Sequence, residues 1–466
     1  MTRIAIIGGG PAGYESALVA ASLGGDVTLI DSDGLGGASV LYDCVPSKTL
    51  IATSDKVTAF RDAQVLGLDV GQDVSVDLIT VNARIKALAA QQSADIARQL
   101  GRGGVTVVPG RGRFAAEQTS HPHTVEVVDD AGHVLQTIDA DVVLVATGGF
   151  PRELAGSPTD GERILSWRQV YDLQALPEHL VVIGSGVTGA EFASGYCELG
   201  VPVTLVSSRD RVLPSEDADA ADVIERVFTE RGGALVKQAR AKAVRRTGDG
   251  VEVELVDGRT VEGSHALVCV GSIPNTPQLG LEHVGIDLDA SGYLPVDRVS
   301  RTPAAGIYAA GDCTGVMLLA SVAAMQGRIA MWHAFGEAVT PIRLKTVAAN
   351  VFTHPEIATV GIGAAAEHAA VPARTMTLPF AGNARAKMAR QTEGFVKLYC
   401  REGTGQVLGG VVVAPGASEL ILPVALAVQR SLTVDDLAAT FTVYPSLSGS
   451  VTEAARRLMH HGDLDE

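Results

Sequence analysis

Arg3-Ile-Ala-Ile-Ile-Gly-Gly-Gly-Pro-Ala-Gly13 and Leu180-Val-Val-Ile-Gly-Ser-Gly-Val-Thr-Gly189 carry one pattern at two places in the chain. Each sets a short β-branched run before Gly-x-Gly-x-x-Gly, at Gly8, Gly10 and Gly13 and again at Gly184, Gly186 and Gly189. A helix-like, alanine-rich stretch follows, opened by Pro11 and Ala12 in the first copy and by Val187 in the second. A further apolar run then ends at Asp31 or at Ser207. Strand, glycine turn, helix and strand make a βαβ unit, so the fingerprint meets its required context twice. The first glycine makes the tight turn, the second lets backbone approach a pyrophosphate, and the third lets helix pack on strand. Two such units predict an α/β fold with two Rossmann-like domains, each holding a dinucleotide.

The ends of the second strands differ. Asp31 lies 23 positions after Gly8, and Ser207 lies 23 positions after Gly184. An acid at this place accepts from ribose hydroxyls, as expected of Asp31. Ser207 cannot repel a 2′-phosphate, and Ser208, Arg209 and Arg211 are close by, so the second site is expected to accept NADPH as well as NADH.

The 466 residues, at ~150 per domain, suggest three domains. A net charge of −16 excludes a phosphate-tracking nucleic-acid binder and a basic membrane-surface protein. The five cysteines are scattered, with no closely spaced pair, which excludes a cysteine-rich zinc site and a disulfide scaffold. The apolar run at the N-terminus stops at glycines, and the longest run elsewhere, Leu420–Val428, is half of what a membrane span needs. A cytoplasmic chain without an integral membrane segment is expected. The Arg456-Arg457 and His460-His461 tail reads as a solvated helix end, and no metal site is assigned.

Four further segments stand in a telling order: Ala146-Thr147-Gly148, Val270-Gly271-Ser-Ile-Pro274-Asn275, Gly306-Ile-Tyr308-Ala-Ala-Gly311-Asp312 and Val351-Phe-Thr-His-Pro355-Glu356. With the two fingerprints, they make the chain resemble the flavoprotein disulfide reductases, the family of lipoamide dehydrogenase and glutathione reductase, nearly end to end. The resemblance implies FAD along the first fingerprint, held also by Gly37, Ala38, Gly112 and Ala146 to Gly148. It places the ribitol at Asp312 after Gly311, and counts Ala320 among the FAD-binding residues. It implies the nicotinamide cofactor along the second fingerprint and Gly271, and a homodimer built by a C-terminal α+β domain. The expected parts are FAD-binding at 1–150 and returning at 276–344, NAD(P)-binding at 151–275 with a linker at Phe150–Pro158, and the interface at 345–466.

The likeness breaks where disulfide chemistry is done. In the segment Gly36-Gly37-Ala38-Ser39-Val-Leu-Tyr-Asp-Cys44-Val-Pro46-Ser47-Lys48, the family has two cysteines five positions apart. Here Ser39 stands at the first, and a hydroxyl cannot take part in thiol exchange. Near the C-terminus, Tyr444 stands where the family has its acid/base histidine, and Gly449 where it has the orienting glutamate. Tyrosine cannot cycle protons near neutrality as histidine does.

The entry half of the reaction is retained. Lys48 matches the lysine beside the flavin's reactive nitrogen, and Glu191 matches its ion-pair partner. Within the family the chain most resembles the actinobacterial NAD(P)H quinone reductases. The expected activity is therefore hydride transfer from NAD(P)H through FAD to a quinone, with Tyr444 reaching the partner subunit's site. A pyridine nucleotide transhydrogenase, a single-cysteine peroxide reductase and a non-catalytic NADPH-liganded sensor are alternatives. Cys44 stays open between a thiolate stacked on the flavin, a peroxide-reducing sulfenate and a buried small hydrophobe.

Overall fold

The computed structural model describes residues 1–69, 74–118, 122–363 and 372–459; the His460-His461 pair lies outside them. The two fingerprints sit in two parallel five-stranded sheets of matching design. In the first, Arg3–Ile7 lies between Asp26–Asp31 and Val142–Val145, with Thr106–Pro109 and Ile307–Ala309 at the edges. In the second, Leu180–Ile183 lies between Val203–Val206 and His265–Val268, flanked by Ala234–Val236 and Ile164–Ser166. The central strands are buried on both faces, which explains why they read as unbroken apolar runs rather than alternating ones.

The glycines repeat in three dimensions as they do in sequence. Gly8 and Gly184 turn at φ +108° and +107°, a region that disfavours any side chain. A Cβ on Gly13 would lie 1.8 Å from the Gly8 carbonyl oxygen, and one on Gly189 would lie 1.8 Å from that of Gly184. Helices Pro11–Ser22 and Val187–Glu198 can therefore approach their strands only because no side chain intervenes.

A three-stranded antiparallel sheet accompanies each parallel one, at Arg111–Phe114, His123–Val128 and Val134–Ala140 and at Ala241–Thr247, Gly250–Leu255 and Thr260–Gly263. The expected linker at Phe150–Pro158 begins as a strand. Gly149–Pro151 pairs antiparallel with Ser272–Pro274, because two chain segments cross between the parallel sheets side by side and satisfy each other's backbone.

Beyond residue 345 an antiparallel five-stranded sheet carries Phe395–Arg401 and Val407–Ala414 at its centre. The apolar run around Leu420 forms two short helices, Ala417–Leu420 and Leu422–Arg430, which break at Ile421 where Pro423 cannot donate to the preceding turn. Among the described residues no helix is long and apolar enough to cross a membrane.

Candidate active site

The long helix Cys44–Asp62 brings the first parallel unit to the second. Its buried face, Leu50, Ile51, Ser54 and Val57, packs on helix Val187–Glu198, where Gly195 lets Ile51 and Ser54 come close. Lys48 on the first helix thereby meets Glu191 on the second, Nζ to Oε2 2.8 Å. The other carboxylate oxygen, Oε1, accepts the Phe352 N–H at 2.9 Å, and the Phe352 ring lies 4.9 Å from the ammonium. Burial pulls the Lys48 pKa down, but the charges of Glu191 and Asp43 outweigh it, so the ammonium is held above its usual range. Burial pushes Glu191 up against the pull of Lys48. The pair stays charged because both carboxylate oxygens are bonded, the condition under which a buried ion pair persists.

These residues line a cleft of about 2010 Å³, roughly twice the ~1,000 Å³ upper end of an ordinary ligand pocket. Its walls include most of the residues expected of the first site. They run from Gly8 through Gly10, Pro11 and Ala12, past Asp31, Gly37, Ala38, Cys44 and Gly112, to Ala146–Gly148, Gly311, Asp312 and Ala320. Val187, Glu191 and Gly271 line it from the second unit. Gly13, Gly184, Gly186 and Gly189 do not line it; Gly13 and Gly189 lie in the strand–helix contact against Gly8 and Gly184, and Gly186 immediately precedes the lining residue Val187.

Five α-helices start at this cleft without a side-chain cap, at Pro11, Gly37, Cys44, Val187 and Ala320, leaving N–H groups for an anion or a carbonyl. The middle glycines point to what fills the space. A Cβ on Gly186 would meet nothing within 4 Å, and one on Gly10 only the Gly37 Cα at 3.9 Å. Protein contacts do not demand glycine there, whereas close approach of a pyrophosphate does. Asp31 Oδ2 accepts the Gly9 N–H at 2.6 Å and Oδ1 the Asp33 and Gly34 N–H groups, which fixes the carboxylate at the rim with lone pairs left for ribose. Burial raises its pKa against these bonds, and burial with Asp43 nearby pushes Asp312 up to about 6. The residues present thus fit two dinucleotides.

Three expectations need correction or completion. Ser207 does not face a ribose: it is fully buried, its hydroxyl 2.7 Å from Ser185 Oγ and engaged with Arg209 backbone. Ser185 is the counterpart of Gly9, so Ser207 closes the contact that Asp31 makes, but its shorter side chain turns inward. Ser208 and Arg209 are exposed at that strand end. Tyr444 lies outside the cleft of its own chain, 87% exposed beside Phe441 and Val443.

Cys44 is not in the electropositive setting a thiolate requires. Burial, reinforced by Asp43 and only partly opposed by Lys48, pushes the thiol up to about 12. Alkylation by iodoacetamide at pH 8 should be at least tenfold slower for Cys44 in the folded protein than in urea; equal rates would refute this charge environment. Asp43 and Phe352 were not singled out from the sequence. A carboxylate immediately before Cys44 was the available signal for the first; the second acts through its backbone and gives none.

The comparisons with known proteins agree with this geometry. Residues 2–327 match the pyridine nucleotide-disulphide oxidoreductase family, and residues 347–455 match the dimerisation domain of the same family. The chain is 61% identical over 471 aligned positions to a Mycobacterium tuberculosis NAD(P)H dehydrogenase (quinone), covering all of this chain and 95% of that one. A dihydrolipoyl dehydrogenase of Haloferax volcanii is 33% identical, over 98% of this chain and 96% of its own. The crystal structure of LpdA from Mycobacterium tuberculosis superposes with a TM-score of 0.94 at 60% identity, covering 99% of this chain and 100% of that one. With both fingerprints, the Lys48–Glu191 pair and nearly the whole length accounted for, the chain belongs to the pyridine nucleotide-disulphide oxidoreductases.

Proposed function

We propose that the chain is an FAD-dependent NAD(P)H:quinone oxidoreductase that works without disulfide exchange. One observation carries this reading: the entry pair Lys48–Glu191 is intact at 2.8 Å while the disulfide exit is missing. Ser39 donates its hydroxyl to the Gly36 carbonyl at 2.9 Å, and all five cysteines are free. The 61% identical relative bears the name of a quinone dehydrogenase, whereas the dihydrolipoyl dehydrogenase is related at 33%.

FAD, when bound, supplies a two-electron relay between nicotinamide and acceptor. Gly10 and the uncapped start of helix Pro11–Ser22 would hold its pyrophosphate, Asp31 its ribose and Asp312 its ribitol. Lys48, oriented by Glu191, places a fixed positive charge where electrons enter, which is worth more in a water-poor cleft than in solvent. Gly186 and the start of helix Val187–Glu198 hold the second dinucleotide, with Gly271 at the cleft wall. The FAD-binding portions are 1–150 and 276–344, the NAD(P)-binding portion 151–275 and the interface portion 345–466. A homodimer through the last would cover Phe441, Val443 and Tyr444 and bring Tyr444 to the partner's acceptor side.

Arg209, exposed and without an ion pair among the described residues, is assigned to a 2′-phosphate. Arg209→Glu should raise the Kd for NADPH roughly tenfold or more, the worth of a hydrogen bond to a charged group, and leave NADH binding within about twofold. Equal effects on both cofactors would refute the assignment. Steady-state NADPH oxidation tests the function itself. Quinone-dependent turnover is expected; turnover with lipoamide but not with quinones would overturn the reading.

A further inference from the structure

Asp43 caps helix Cys44–Asp62, where an aspartate side chain ordinarily accepts from the N–H of the second or third helical residue. It forgoes that bond. The third helical residue is Pro46, which has no N–H to give, and the Ser47 N–H makes the regular first helical bond to the Asp43 backbone carbonyl at 2.7 Å. Half-buried, the side chain lines the cleft beside Cys44 and Lys48, and among the described residues it makes no hydrogen bond or close ion pair.

The charged and titratable groups that act on it come from every side. Lys48 and Cys44 lie on its own helix, Glu191 on helix Val187–Glu198, Tyr171 on the turn Val170–Asp172, Cys269 after strand His265–Val268, and Asp312 opposite. Lys48 is the cation among them, and its ammonium is committed to Glu191. A carboxyl group surrounded by other acids, without a cation of its own and pointing into a substrate cleft, is placed to carry a proton.

Resting on the quinone reading above, we propose that Asp43 is the catalytic acid that protonates the acceptor oxygen. NAD(P)H, quinone and one proton give NAD(P)⁺ and hydroquinone. The hydride equivalent delivers two electrons and one hydrogen to the acceptor. The Asp43 O–H bond breaks as the second acceptor O–H bond forms, and the carboxylate left behind recovers a proton from water. The other candidates serve less well. A hydroquinone oxygen is phenolic, with a pKa near the ~10 of tyrosine; burial disfavours the Cys44 thiolate and makes that thiol the poorer donor. Burial holds Asp43 above the usual carboxylate range against the pull of Lys48, which favours its protonated form.

Asp43→Asn keeps the shape and removes the proton; Asp43→Glu restores the acid. Both should be compared with the unmodified holoenzyme using menadione, which needs protons, and ferricyanide, which takes electrons alone. Asp43→Asn should lose about a hundredfold more activity with menadione than with ferricyanide, within the range of a positioned acid, and Asp43→Glu should recover part of it. In infrared difference spectra between low and high pH, the protonated-carboxyl C=O signal of the unmodified enzyme should exceed that of Asp43→Asn by one carboxyl. Losses in equal proportion for the two acceptors, or carboxyl signals of equal size in the two proteins, overturn the proposal alone. No menadione turnover by the unmodified enzyme overturns the quinone reading and this proposal with it.

Discussion

Lys48→Met should slow reduction of the bound flavin by NADPH by about 10² to 10³, the usual cost of removing one preorganised electrostatic group. It should also destabilise the fold, because Glu191 is left buried with only the Phe352 N–H. Breaking a buried pair from one side costs about 3–5 kcal/mol. The loss should depend on pH with a definite sign. Without Lys48 the folded-state pKa of Glu191 climbs further above its unfolded value. Folding then favours the protonated form, the penalty is absent below the unfolded pKa, and it grows as pH rises toward the folded one. Lys48→Met should therefore lose more thermal stability at pH 8 than at pH 5. The double variant Lys48→Met/Glu191→Leu should recover stability, since apolar replacement of a buried pair is often neutral or better, but it should not recover the rate. Stopped-flow reduction and melting curves on the same samples check both, and a rate that returns with stability would make the pair merely structural.

The second large effect separates two glycines three positions apart. Gly186→Ala meets no protein atom and sits on extended backbone, φ −73° and ψ −173°, so the fold should be unaffected. Its methyl group would occupy the place of the pyrophosphate, and NADPH affinity should fall about tenfold to a hundredfold, the worth of a hydrogen bond to a charged group. Gly189→Ala drives a Cβ to 1.8 Å from the Gly184 oxygen, so helix and strand must part. It should destabilise by about 1–3 kcal/mol or more, as overpacking does. Melting temperature and NADPH titration distinguish the two. Normal NADPH binding by a folded Gly186→Ala would remove the second dinucleotide from this site.

Much of this was legible in the sequence because the fingerprint is a backbone device. Its glycines exist to avoid clashes, and the clash distances at Gly13 and Gly189 come out the same in both copies. Lys48 and Glu191 could be picked out by family position, though nothing in their spacing says that helices Cys44–Asp62 and Val187–Glu198 meet. What escaped has specific causes. Counting positions placed Ser207 opposite Asp31, yet counting cannot say that a two-atom side chain would close on Ser185 rather than reach outward. The Phe352 contribution is a backbone N–H, which every residue type but proline supplies. Asp43 carries no motif that sets it apart, and only the structure reveals that its side chain leaves the helix start uncapped and lines the cleft. The strand at Gly149–Pro151 was hidden by the prolines and glycines around it, which read as a linker.

The central claim is that electrons enter by the family's route and leave by another. One measurement bears on it most directly: reduce the enzyme anaerobically with one equivalent of NADPH, then follow flavin absorbance after mixing with menadione or with lipoamide. Prompt reoxidation by menadione and none by lipoamide is expected. Reoxidation by lipoamide at a comparable rate, with Ser39 and Tyr444 in place, would contradict it.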